Sequence, residues 1–402
     1  MFTILLMALF QTPQFAVLPG TNLIATEVFP ELSLQTIQTA MSLPGLVAVI
    51  SGVLAAVLVR YGASSKKFMT VFGLSMIAAA GVVALALHTR FWQLCLMNSL
   101  IGIGVGIFVP NAQSIMFDNF DEKTRNFILG VSFSCINGGG LVMSLVSGWL
   151  DTIVWYGGYL QFLIVIPVAV IAFVIIPKDV RIRSGPAAAG AVSGDGAISS
   201  AGDSGRTKIP LKVYYFAFII IVFMVLFSVM SVNISTHLAN GGYGDPSIAG
   251  IASALMMAGG AAVGFIFPKL SSVLRDRVFS LTFIILAAGF TLMNLFHSSL
   301  PATLIAVFLC GTTMSLLVPR CVFNVSNLSD PTNSATATML VCCVAPGSGQ
   351  FLSPVIMTNL TLALGGESTR FRFQFTALIC LAIAAVLFFI SMRKKQVGGE
   401  GV

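Results

Sequence analysis

Apolar residues fall along this chain in long runs separated by short polar breaks, and the length of the runs is what carries information. About twelve of them reach the roughly 20 residues that a helix needs to cross the hydrocarbon core of a bilayer. They cover residues 3 to 25, 38 to 59, 67 to 87, 91 to 117, 126 to 150 and 156 to 176. After an interruption come 211 to 235, 247 to 268, 278 to 296, 300 to 324, 334 to 363 and 371 to 392. Lipid offers no partner to a backbone amide, so each run is expected to be a helix. The first run starts at Met1 but is long and has no basic leader, so it is read as a membrane helix and not as a secretory signal.

The pattern occurs twice. Moving from Gly102 to Gly311, an offset of 209 residues, lays Leu100, Gly102, Val109, Pro110, Asp121, Gly138, Gly140 and Ser144 on Leu309, Gly311, Val318, Pro319, Asp330, Gly347, Gly349 and Ser353 without a gap. The same offset lays Ala55, Val59, Arg60 and Lys66 on Gly264, Pro268, Lys269 and Arg275, so two basic residues recur in register. The expected fold is an all-α membrane protein, with about twelve transmembrane helices in two pseudo-symmetric six-helix bundles. Residues 1–177 form the first bundle and 211–402 the second, which ends in a short tail. Between them, residues 178–210 collapse to Gly, Ala and Ser with scattered charge, a composition that cannot offset its ordering entropy and predicts a flexible cytoplasmic linker.

Composition agrees with that class: 57% of residues are hydrophobic, 9% are charged, and mean hydropathy is +0.97. Most of the net charge of +7 lies on one side. With the N-terminus in the cytoplasm, that side holds Arg60, Lys66, Lys67, Lys123, Arg125, the linker cluster, Lys269, Arg275, Arg277, Arg320 and the tail Arg393, Lys394 and Lys395. The other side keeps Arg90, Arg370 and Arg372. The positive-inside rule then places both termini in the cytoplasm of a multi-pass plasma-membrane protein. The charge is explained by topology, and no basic patch points to nucleic acid. The seven cysteines lie inside the apolar runs at no metal-ligand spacing and read as packing residues. No cofactor, metal site or catalytic constellation is legible, so an enzyme is not expected.

The basic turn Arg60-Tyr61-Gly62 followed by Lys66-Lys67, the glycine-rich fourth run and the Gly138-Gly139-Gly140 sequence resemble the major facilitator superfamily over essentially the whole chain. The resemblance implies transport by alternating access, with runs 1, 4, 7 and 10 around a central cavity and runs 3, 6, 9 and 12 facing lipid. It also implies a cytoplasmic gate at Arg60, Gly62, Lys66, Lys269 and Arg275. The chain departs from the family pattern at Val59, where an acidic residue usually precedes the arginine. It departs again at Asn98, an arginine in proton-coupled drug exporters, and at Ser134-Cys135-Ile136, where those exporters carry Gly-Pro.

Polar residues within apolar runs are the candidates for a substrate path, because an unpaired polar group in hydrocarbon is costly. These are Gln11, Gln14, Asn22, Asn98, Asn111, Asn137, Asn233, Arg320 and Gln350, with Phe10, Phe15, Phe108, Phe223, Phe227 and Phe351 as an aromatic wall. Arg320 either meets a substrate carboxylate or anchors at the membrane surface; its position favours the anchor. His237 reads as a surface histidine. The glycines Gly102, Gly106, Gly138, Gly139, Gly140, Gly311, Gly347 and Gly349 provide smooth faces for close packing or for rocking. No Asp or Glu falls in the middle of a run unless Glu27 dips inward, so proton coupling stays open beside facilitated diffusion and exchange. The expected function is carriage of a small amphipathic solute by a monomer, with export favoured. The alternatives are uptake or exchange of a small organic anion, and a sensor or assembly subunit without flux.

Overall fold

The computed structural model describes residues 2–60, 64–119, 122–176, 210–274, 277–328, 337, 339–366 and 368–397. The linker 178–210 therefore lies almost wholly outside the described residues, as do Gly62 and Arg275. The helices are α1 (Phe2–Ala8), α2 (Leu34–Arg60), α3 (Lys66–Ala86), α4 (Phe91–Asn119), α5 (Glu122–Leu150) and α6 (Val165–Ile175). They continue as α7 (Leu211–Asn240), α8 (Pro246–Leu274), α9 (Arg277–Leu295), α10 (Leu300–Leu328), α11 (Ala345–Ala363) and α12 (Thr369–Val397). Among the described residues, ten helical spans are long and apolar enough to cross a membrane. At seven residues α1 falls short of that length.

In the first half, α4 packs against both α2 and α3; in the second, α10 packs against both α8 and α9. The two halves meet mainly where α5 lies on α8 and where α2 lies on α11. The 209-residue offset reappears as geometry. A side chain on Gly102 of α4 would run into Pro44 and Val47 of α2, and one on Gly311 of α10 would run into Met256 of α8. Val47 and Met256 occupy the same place in the repeat. Pro110 and Pro319, another repeat pair, sit inside α4 and α10. Large apolar side chains on α3, α6 and α12, among them Leu85, Phe173 and Phe389, are exposed, as lipid-facing residues should be.

The first run differs from the single helix expected over residues 3 to 25. It stops at Ala8, resumes for one turn at Pro13–Ala16, tightens to a 3-10 turn at Leu18–Gly20, and ends in a π turn at Ile24–Val28. Two prolines explain the breaks. Pro13 disfavours helical backbone at Thr12, whose φ of −124° and ψ of 43° lie outside the helical region. Pro19 has no N–H to donate. Broken backbone is tolerated at membrane depth only where neighbours satisfy the freed groups. Here Thr21 Oγ1 donates to Leu18 O at 2.7 Å, and Ser235 Oγ of α7 donates to Pro19 O at 2.8 Å.

Candidate functional site

The broken segment after α1 brings several of the predicted polar residues together. Gln11, Gln14 and Asn22 are half-buried on it. Gln14 Oε1 and Thr12 Oγ1 are buried with no hydrogen-bond partner. The segment lies against α5: a side chain on Gly139 would run into the Leu9 backbone, and one on Gly140 would come within 3.0 Å of Thr12 Oγ1 and of Met257 Sδ on α8. Gly138 faces open space, with nothing within 4 Å of where a Cβ would stand. Asn137 points at Gly260 of α8, so α5 offers polar and small groups to both the broken segment and the other half. A discontinuous membrane helix with uncommitted amide and hydroxyl groups suits binding of a polar solute near the midplane.

We call the end of the bundle where α6 stops and α7 starts the linker end, and the opposite one the distal end. At the distal end the halves are joined by hydrogen bonds. Asn22 N donates to Ser235 Oγ at 3.2 Å, Gln35 Nε2 to Asn359 Oδ1 at 3.2 Å, and Gln38 Nε2 to Asn233 Oδ1 at 2.9 Å. Backbones also touch there: a Cβ on Gly148 of α5 would lie 2.7 Å from Gly250 Cα of α8. Near the middle, a Cβ on Gly347 of α11 would lie 2.6 Å from Gly45 O of α2. Further along α8 toward the linker end, Gly264 has nothing within 4 Å.

One buried cation joins this distal seal. Arg372 of α12 is 5% exposed, and its Nη1 donates to Asn233 Oδ1 at 2.7 Å. Sequence position made it a loop charge at the start of the twelfth run. The structure instead turns Arg370 outward, where its Nε donates to Asn294 Oδ1 at 3.0 Å, and turns Arg372 inward. Residues two apart on a helix point in nearly opposite directions, so the spacing itself was the available signal. His237, one turn beyond Asn233 on α7, is also buried and not at the surface; its ring centroid lies 5.1 Å from that of Phe373.

Other predicted residues lie away from these groups. Asn98 is fully buried inside the first half, where its Nδ2 donates to Tyr159 Oη at 3.0 Å and to Leu94 O at 3.2 Å. Asn111 Nδ2 donates back to Ile107 O at 2.6 Å. Gln350 is buried against Gly45, and Arg320 lays its guanidinium over Phe323 at 5.7 Å. Gly102, Gly106, Gly139, Gly311 and Gly349 pack within one half, whereas Gly140 and Gly347 reach across. Phe108, Phe223 and Phe227 are core residues within their halves. Of the expected gate, Lys66 is buried, and the side chains of Arg60 and Lys269 lie outside the described residues together with Gly62 and Arg275. Glu27 is exposed in the distal π turn. Among the described residues the buried carboxyl is that of Asp151, in the turn after α5, which accepts from Gly158 N at 2.7 Å and Ser147 Oγ at 3.2 Å.

Comparison with known proteins settles the family. A model described as Major Facilitator Superfamily matches residues 1–240, more than half of the chain. The chain belongs to the major facilitator superfamily. No curated protein sequence matches it significantly. Several solved superfamily-like structures share its fold. The POT family transporter PepTSo superposes with a TM-score of 0.74 at 11% identity, covering 98% of each chain. A POT family transporter in complex with a thioalcohol-conjugated peptide gives 0.69 at 14% identity, covering 96% of each. The human organic anion transporter MFSD10 (TETRAN) gives 0.65 at 13% identity, covering 95% of this chain and 98% of its own. At such identities the likeness establishes the fold. As a superfamily member with this arrangement of apolar helices, the protein is a multi-pass membrane transporter.

Proposed function

We propose that the protein carries a small amphipathic solute by alternating access, as a monomer in the plasma membrane with the linker end and both termini in the cytoplasm. The moving units are residues 1–177 and 211–402, tethered by 178–210. The observation that carries this reading is the distal seal: side-chain hydrogen bonds and glycine contacts join the halves there, while Gly264, further along the same interface, faces open space. Contacts made by neutral amides and bare backbone are cheap to exchange for water, which suits a gate that opens in every cycle. The solute would sit between the α1 break and α5, near Gln11, Gln14, Asn137 and Gly138. Arg60, Gly62, Lys66, Lys269 and Arg275 would form the opposite gate. The direction we assign is outward.

The test uses spin labels on Gln35→Cys and Asn359→Cys in a background without the native cysteines. A carrier gives two distance populations whose ratio shifts with solute, together with solute accumulation in inverted vesicles. A single short distance under all solutes, with no flux, would convert the reading to that of a sensor. A second reading, exchange of a small organic anion, is favoured by the inward-turned Arg372 in preference to Arg320.

A further inference from the structure

The group around Arg372 has the chemistry of an incomplete binding site. Gln38 of α2 is wholly buried, Asn233 and His237 of α7 are 3% and 4% exposed, and Arg372 of α12 is 5% exposed. Three of their polar atoms are buried without any partner: Arg372 Nε, Gln38 Oε1 and His237 Nε2. No carboxylate among the described residues pairs with the guanidinium, which donates to the neutral Asn233 Oδ1. A buried cation that keeps only a neutral acceptor is costly, because its desolvation is not offset by an opposite charge. A guanidinium presents parallel N–H groups that match the two oxygens of a carboxylate, and here one edge of that fork is unused.

The cluster also straddles the moving interface. Gln38 belongs to the first half, whereas Asn233, His237 and Arg372 belong to the second, and the Gln38–Asn233 bond is part of the distal seal. When that bond opens, Asn233 and Arg372 face the gap left by α2. We propose that Arg372, with Asn233 and His237, receives the carboxylate of the transported solute in the distal-open state, and that Asn233 Oδ1 holds the place of a carboxylate oxygen when the distal end is shut. This rests on the alternating-access reading and adds to it a substrate class: small organic monocarboxylates.

The experiment is thermal unfolding of the full-length protein in detergent. The probes are a panel of aromatic and aliphatic monocarboxylates, each paired with its primary amide. Selected acids should raise the melting temperature while their amides do not, since a ligand stabilises in proportion to its occupancy. Arg372→Gln should weaken the acid response at least tenfold, and Arg370→Gln should leave it unchanged. Asn233→Asp should raise the basal melting temperature and abolish the acid response, because the protein would then carry its own carboxylate. That variant keeps the question decidable if Arg372→Gln does not fold. Equal responses to acids and amides, no response to any acid, or an acid response that survives Arg372→Gln or Asn233→Asp would each overturn the proposal. Failure of the acid response with the spin-label exchange intact would remove the carboxylate site and leave the carrier.

Discussion

Asp151 shows how far a single residue can depart from its sequence position. It closes α5, where a solvated helix-end acid would be expected, yet the broken segment after α1 covers it: a Cβ on Gly20 would stand 2.9 Å from its Oδ2. Burial raises its carboxyl from 3.8 to about 7, and the hydrogen bonds from Gly158 and Ser147 offset only part of that rise. The folded state therefore holds a proton that a solvated unfolded chain gives up near pH 4. Stability should fall as pH rises from about 4 to about 7 and level off above it, by on the order of 4 kcal/mol at most. Asp151→Asn should flatten that dependence and melt higher than the natural protein at pH 8; melting curves at pH 5 and pH 8 check this. Tyr159→Phe is a second case. It removes the Oη that accepts from Asn98 and should cost about 1 kcal/mol in stability while leaving solute affinity in binding assays unchanged. Polarity identified Asn98 as a candidate from sequence, but its direction depends on Tyr159, 61 residues away. Apolar periodicity carries no information about such a partner.

At the scale of elements, sequence was legible wherever a run was uniform and failed where it was interrupted. The runs from 91 to 117 and 278 to 296 correspond closely to α4 (Phe91–Asn119) and α9 (Arg277–Leu295). In the first run, Pro13 and Pro19 were hidden by length and mean apolarity, although each is a local breaker. The repeat offset recovered the glycines that pack α4 and α10, because both halves need them. It did not recover Gly148 and Gly250, whose contact exists once, between the halves. Gly347→Val would push a side chain into Gly45 O and hold α2 off α11. Disulfide formation between Gln35→Cys and Asn359→Cys should then slow at least tenfold. Gly138→Ala, whose methyl meets nothing within 4 Å, should leave that rate unchanged.

For the molecule as a whole, the distribution of charge constrains what can drive transport. The sequence places no acidic side chain in the middle of any apolar run, and Glu27 and Asp151 lie at the distal end. A carrier without a mid-membrane carboxylate lacks the usual group for loading and releasing a proton during the cycle. An inward-turned Arg372 that stays with its half during rocking contributes no net charge movement, so a bound monocarboxylate would cross as one negative charge. Moving one charge through 100 mV is worth about 2.3 kcal/mol, which corresponds to roughly 50-fold accumulation. With the inside of the cell negative, that work favours anion export without a coupling ion. In liposomes, a potassium diffusion potential set with valinomycin should drive a stabilising acid toward the positive side in proportion to the voltage. A pH gradient imposed at zero potential should drive little net flux. The reverse pattern, with flux following the pH gradient and ignoring the voltage, would mean that a proton travels with the acid, and Asp151→Asn would then be the first variant to test for loss of coupling.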